Sequence, residues 1–270
     1  MSNFTDFGEN WVCNFIKTSA SALPANFDVA LLSAVSDESY TEVSWPSYSR
    51  KAVARSLAAW SGTQGNGSTT QSTGRTHTTV NNEEINFGAA DGTGTIAAVG
   101  LFVGSDLFAY SPINSPITVA EGDNIKLDQY ALVFSLGATG GCTDYLANKL
   151  IDYIWRGQNF SYPPTMYMAL YNSSPSNNSR GTEVSGSGYM RVPMNSAAWS
   201  APNAGTITNT ENLSFPTPTG NWGNVVACGY LDAATNGNLL WWATVPSPKT
   251  IVNGGAAPRF DEGAVTLQVL

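Results

Sequence analysis

The sequence predicts a mainly β fold: two tandem β-sandwich-like domains, each opening with a short helix. Three observations predict it. The chain repeats itself, in order, along its whole length. Short apolar runs alternate with clusters of Gly, Asn, Ser and Thr, the pattern of strands joined by polar turns. Only 12% of the 270 residues are charged, yet 42% are hydrophobic and 30 are aromatic, which suits a packed core and not a disordered chain.

The repeat is the most specific signal. Thr5-Asp6-Phe7…Asn10 returns as Thr143-Asp144-Tyr145…Asn148, an offset of 138. Thr41-Glu42-Val43-Ser44 returns unchanged as Thr182-Glu183-Val184-Ser185, and Tyr48 and Arg50 then match Tyr189 and Arg191. Ala58-Ala59-Trp60-Ser61 matches Ala197-Ala198-Trp199-Ser200. Asn81-x-Glu83-x-Ile85-x-Phe87 matches Asn209-x-Glu211-x-Leu213-x-Phe215. Between the last two motifs the offset falls from 139 to 128, so the first copy carries 11 extra residues there. That polar stretch, Ser61 to Thr79, reads as a surface loop or arm. The expected domains are residues 1–137 and 142–270, with 138–141 as linker.

Within each copy the elements follow in the same order. Thr5 or Asp6, and Thr143 or Asp144, cap a helix, because a side-chain oxygen there accepts an orphan backbone N–H. Phe7, Trp11, Phe15 and Ile16 recur at helical spacing in the first copy; Tyr145, Leu146, Leu150, Tyr153 and Ile154 do so in the second. Gly157 is placed to end the second helix. Strands are expected at 27–32, 96–103, 106–110 and 130–136, and again at 166–171, 225–231, 238–243 and 264–270.

Charge and cysteine usage exclude several functions. Twelve basic against 20 acidic residues give a net charge of −8, with no basic cluster for nucleic acid or an anionic membrane. Arg50-Lys51…Arg55 is too small a run to reverse this. Cys13, Cys142 and Cys228 are an odd number without close spacing, so free thiols and a reducing compartment of assembly are expected. Neither a signal peptide nor an apolar run of membrane-spanning length is expected.

Catalytic chemistry finds little to stand on. The sole histidine, His77, falls in the polar insertion, where nothing orients or tunes an imidazole. One His and scattered Cys leave a zinc site without ligands. Glu42/Glu183 and Glu83/Glu211 are repeat-equivalent carboxylates, and equivalence in both copies fits a structural role better than glycoside hydrolysis. No cofactor motif or nucleophile elbow is present. The expectation is a protein without catalytic, cofactor or metal residues.

The eight tryptophans divide by the repeat. Trp60/Trp199 occurs in both copies and reads as core. Trp11, Trp45, Trp155, Trp222, Trp241 and Trp242 fall where the copies differ, so they serve core, the contact between domains, or binding. Trp241 and Trp242 are adjacent on a strand and point to opposite faces. The candidate interface residues are Trp241, Trp242, Trp222, Trp155, Trp45 and His77.

Four segments of the second copy carry a resemblance: Thr-Asp-Tyr-Leu-Ala-Asn-Lys-Leu (143–150), Pro-Pro-Thr-Met-Tyr-Met-Ala-Leu (163–170), Gly-Thr-Glu-Val-Ser-Gly-Ser-Gly-Tyr-Met-Arg (181–191) and Gly-Tyr-Leu-Asp-Ala-Ala-Thr-Asn-Gly-Asn-Leu-Leu (229–240). Phe215-Pro-Thr…Gly-Asn-Trp-Gly223 belongs to the same pattern. The chain resembles a virion structural protein family of tailed bacteriophages, of the tail-fibre or minor structural kind. The first copy follows it more loosely and lacks the Gly-x-Gly before Tyr48. The resemblance implies a non-enzymatic virion component, assembled in the host cytoplasm, whose partners are other virion proteins and copies of itself. With no fibrous repeat or heptad in view, the expected role is a capsid decoration or cement protein on the head. The alternatives are a tail or head appendage, or a glycan- or receptor-binding module.

Overall fold

A computed structural model of the chain describes residues 4–61, 78–136 and 141–269. His77 lies outside the described residues, as does most of the insertion. The first repeat runs α1 (Asp6–Ile16), β1 (Asn26–Val35), β2 (Tyr40–Glu42), β3 (Lys51–Ala54), β4 (Trp60–Ser61), β5 (Thr78–Asn81), β6 (Ile85–Ala89), β7 (Gly94–Val103), β8 (Asp106–Val119), β9 (Asn124–Leu127) and β10 (Val133–Ser135). The second runs α2 (Asp144–Ile154), β11 (Thr165–Ser173), β12 (Thr182–Glu183), β13 (Val192–Asn195), a 3-10 turn, β14 (Thr206–Thr208), β15 (Leu213–Ser214), β16 (Gly223–Leu231), β17 (Leu239–Ile251), β18 (Arg259–Phe260) and β19 (Thr266–Gln268).

Both repeats build the same antiparallel five-stranded sheet. Its order is β2-β1-β7-β8 in the first and β12-β11-β16-β17 in the second, with β3 and β13 continuing the outer edge of β1 and β11. The registers coincide: Ala30 faces Gly100 and Ala169 faces Gly229. Smaller sheets, β10-β5-β4 with β6-β9, and β14-β19 with β15-β18, complete each layer pair. The chain is thus two tandem β-rich domains, each with an N-terminal helix.

The first strand of each repeat is buried on both faces, as its unbroken apolar run requires. Phe27, Val29 and Leu31 face a main core shared with the helices and small sheets. Ala30 and Leu32 face a second, smaller cluster with Ala98, Phe102 and Leu107. The second repeat matches it with Ala169, Tyr171, Ala227, Leu231 and Leu239.

The main core is continuous through both repeats. Trp155, just past α2, stacks on Phe134 of the first repeat (5.8 Å between centroids) and touches Phe4 at 5.7 Å. Trp11 of α1 stacks on Tyr153 at 6.2 Å, and Phe15 packs on Tyr153 at 4.7 Å. Polar bonds frame these rings. Arg55 donates to the carbonyls of Ile154 (2.6 Å) and Tyr153 (2.5 Å), where the C-terminal end of α2 concentrates negative potential. Lys17 donates to Ser200 O at 2.7 Å, and Asn10 accepts from Gly205 N at 3.1 Å.

Several expectations need correction. The strands expected at 106–110 and 238–243 run on to Val119 and Ile251, because Pro112, Pro116, Pro246 and Pro248 sit on a sheet edge, where a missing N–H breaks no ladder. The strand expected from Tyr130 starts only at Val133, since Tyr130 turns through the left-handed region (φ 67°). The insertion begins and ends in strands β4 and β5 rather than being loop throughout. Phe7 is exposed, not on the packed face of α1.

Candidate interaction site

Each repeat forms an open cleft in the same place, where the helix N-terminus meets two hairpin turns. A threonine makes the join. Thr5 Oγ1 accepts from Gly8 N (3.4 Å) and also donates to Leu107 O. Thr143 Oγ1 accepts from Leu146 N at 3.3 Å and donates to Leu239 O at 2.7 Å. One hydroxyl therefore caps the helix and pins it to the start of the neighbouring strand. Thr5 and Thr143, not the adjacent aspartates, are the caps.

A second shared device holds the turns. Tyr48 donates to Glu42 at 3.1 Å, and Glu42 receives the Arg50 guanidinium through Nε and Nη2. Arg50 Nη1 then reaches Gly104 O in the β7–β8 turn at 2.9 Å. The second repeat repeats this with Tyr189, Glu183 and Arg191, whose Nη1 reaches Ala233 O and Asn236 O. The repeated Glu42/Glu183 pair is thus occupied by arginine. Asn81 and Asn209 brace the small sheets alike. Each amide N donates to two carbonyls, and each amide O accepts one N–H, from Leu132 or Val265, at 2.8 Å.

The clefts are alike in size and opposite in chemistry. The first, about 560 Å³, is lined by Asp6, Asp37, Glu38, Asp106, Phe7 and Tyr40. The second, about 520 Å³, presents Asp144, Tyr145, Asn177, Asn178, Arg180 and Asn238. Four carboxylates with no cation stand against one carboxylate and one guanidinium among amides. The whole chain shows the same asymmetry. Each repeat has six basic residues, but of the 20 acidic residues 13 precede residue 138 and seven follow it. The net charge of −8 is therefore −7 in the first repeat and −1 in the second.

A ring donor steadies one wall of each cleft. Tyr110 donates to Asp37 Oδ1 at 2.8 Å, and Trp242 Nε1 to Asn177 Oδ1 at 3.3 Å. Burial, with Asp37 adding to it, pushes the Tyr110 phenol up to about 12, so it remains a donor at neutral pH.

Trp242 is half-buried at this wall, whereas Trp45, Trp155, Trp222 and Trp241 are 7%, 1%, 4% and 3% exposed. Those four rings face the chain's own interior and present no face to another molecule in this conformation. Their mismatch between copies has a packing cause. Trp45 and Trp222 come from different loops yet occupy the same place, edge-on to Tyr48 (5.7 Å) and Tyr189 (5.3 Å). Tyr48 and Tyr189 in turn stack on Phe87 and Phe215 at 6.3 and 6.2 Å. Trp241 answers a similar exchange. The bridge pair Phe4–Ala109 of the first repeat is Cys142–Trp241 in the second, so the large side chain changes strand. Trp155, with Trp11, joins the repeats.

Among the described residues no group of three or more His, Cys, Asp or Glu side chains could hold a metal. No helix among them is long and apolar enough to cross a membrane. The three cysteines are buried free thiols, pushed up by burial to about 12 at Cys13, about 12 at Cys142 and about 11 at Cys228.

The two clefts escaped sequence reasoning because their walls come from three segments each. Matched Thr5-Asp6-Phe7 and Thr143-Asp144-Tyr145 marked only one wall, and the substitution of Asn238 for Asp106 needed the turn alignment to be seen.

No curated protein matches the chain. One family model matches it twice, over residues 3–135 and 141–268, and is described as podophage GP4 fiber I protein gp80. With nearly its whole length matched in two tandem segments, the chain belongs to this phage fibre family and is a structural component of the virion.

Proposed function

We propose that the protein is a non-catalytic building block of a virion appendage, in which the two repeats act as one rigid body. The observation that carries this is the shared core: Trp155, Trp11 and Arg55 tie two fibre-family repeats into one unit. A body of that kind holds two equivalent clefts at a fixed spacing, which suits joining unlike neighbours. Their unlike lining supports contacts with other virion proteins on one side and with a different partner on the other.

The family's fibre description supports an appendage on the tail or head over the capsid decoration or cement role that the sequence led us to expect. The absence of fibrous repeats does not oppose this, because a compact module can sit at the base or tip of a fibre. The repeat-equivalent Glu42 and Glu183 are held by arginines, which supports a structural over a hydrolytic role. Gold-labelled antibodies on intact particles test the placement. Label confined to tail or collar appendages is expected; label spread over the capsid faces would overturn it.

A further inference from the structure

The contact between the repeats has the form of a two-fold dimer interface. In such an interface residue i of one partner meets j of the other, and j meets i; only residues on the axis meet their own equivalents. Phe15 and Tyr153 are equivalents, at the offset of 138 that relates Thr5 to Thr143. Their rings pack on one another at 4.7 Å. The axis of the pairing therefore passes between α1 and α2.

The reach to either side of that axis is reciprocal. α1 lies on its own large sheet through Trp11, edge-on to Phe108 at 5.8 Å. Its Asn10, Cys13 and Lys17 turn to the second repeat. Asn10 Oδ1 accepts from Gly205 N, Cys13 Sγ donates to Gly205 O at 3.2 Å, and Lys17 donates to Ser200 O. The equivalent positions of α2 are Asn148, Ile151 and Trp155, and all three are buried. Trp155 stacks on Phe134 of the first repeat. One helix face thus serves the sister repeat in both copies. Glycine permits the close approach on each side. A Cβ on Gly205 would meet Glu9 Oε2 of α1 at 2.5 Å, and one on Gly157 would meet Arg55 O.

This surface is complete when a first repeat meets a second repeat, and none of its contacts requires both to come from one chain. Only residues 137–140 separate the described ends of the two repeats. We infer that the surface accepts a second copy of the chain, the first repeat of each pairing with the second repeat of the other in a reciprocally exchanged dimer. This rests on the shared core argued above and goes beyond it by naming a partner.

Cysteine pairing in the full chain tests it. Phe15→Cys and Tyr153→Cys chains are unfolded together in urea under reducing conditions, refolded at high concentration and oxidised. A disulfide-linked dimer is expected in the mixture and in neither variant alone, because position 15 of one chain meets position 153 of the other. The chain carrying both substitutions, refolded dilute, should close the same bond within itself. That internal bond without a linked dimer in the mixture would overturn the inference and leave the single rigid body standing. A linked dimer of Phe15→Cys with itself would also overturn it, since like repeats would then be pairing. Light scattering on the unaltered chain, refolded in the same way, should show a dimer beside the monomer. Monomer alone at every concentration would overturn the inference without recourse to any variant.

Discussion

The phenol oxygen of Tyr48 accepts the backbone N–H of Leu31 at 2.9 Å, inside the sheet's first strand, while its proton goes to Glu42. Tyr189 and Leu170 repeat the bond at 2.9 Å. The side chain thus replaces a ladder partner in the gap between β3, which pairs with β1 up to Val29, and β2, which pairs with it from Leu32. Burial raises the phenol above its ordinary range and Glu42 adds to this, so Tyr48 stays protonated at neutral pH. Tyr48→Phe strands the Leu31 N–H and should cost about 1–3 kcal/mol. Urea unfolding of Tyr48→Phe and Tyr189→Phe should show similar losses, and a negligible loss in either would deny the bond its role.

The exchange of Phe4–Ala109 for Cys142–Trp241 makes a quantitative claim. Ala109→Trp alone overfills the first repeat and should cost about 1–3 kcal/mol. Phe4→Cys alone leaves a cavity and should cost about 2–4 kcal/mol. Together they reproduce the second repeat's arrangement. The double variant should therefore be more stable than the sum of single losses by at least about 1 kcal/mol. Additive losses would show that the two positions do not share one space.

Alkaline pH should destabilise the fold. The thiols of Cys13, Cys142 and Cys228 are raised from 9.0 to between about 11 and 12, chiefly by burial. A raised folded-state pKa means the folded chain holds its proton when the unfolded chain has lost it. The resulting stability is complete below pH 9 and declines as pH rises through 11 to 12. Tyr162 and Tyr230, raised by burial, act in the same sense. The urea midpoint should fall between pH 8 and pH 11, and a thiol reagent should label no cysteine in the native chain at pH 8. A rising midpoint, or rapid native labelling, would contradict the burial.

Arg55 serves the junction rather than an outer surface. Its guanidinium donates to carbonyls of Ile154, Tyr153, Leu23 and Pro24, so it stitches the end of α2 to the segment before β1. Burial lowers its pKa from the ordinary arginine value. Arg55→Met should cost about 2–3 kcal/mol, from charged hydrogen bonds at a helix C-terminus. Arg55→Lys should recover only part, because a single ammonium cannot span four carbonyls. Full recovery in thermal unfolding would mean that charge alone matters there.

Much of the fold was legible because the repeat doubles each signal. The paired Thr, Tyr, Arg and Asn motifs mark shared backbone geometry, and each lands on equivalent hydrogen bonds. The unmatched tryptophans misled for a physical reason. A sequence offset compares positions along the chain, whereas a core is filled in space, so one indole can enter from either of two loops, as Trp45 and Trp222 do. The clefts were hidden differently. Their walls join residues about 100 apart, such as Asp6 and Asp106, and it is the Phe4–Ala109 bridge and the Thr5 bond to Leu107 O that bring these together. The junction role of Trp155 was among the alternatives, but no local pattern could select it.

One rigid body made of two repeats is the central claim, and calorimetry tests it most directly. Because Trp155, Phe134, Trp11 and Tyr153 belong to one core, the full chain should unfold in a single transition with equal calorimetric and van't Hoff enthalpies. Trp155→Ala, which empties the junction, should split that transition into two. Two separated transitions in the unaltered chain, with Trp155→Ala changing neither, would contradict the account.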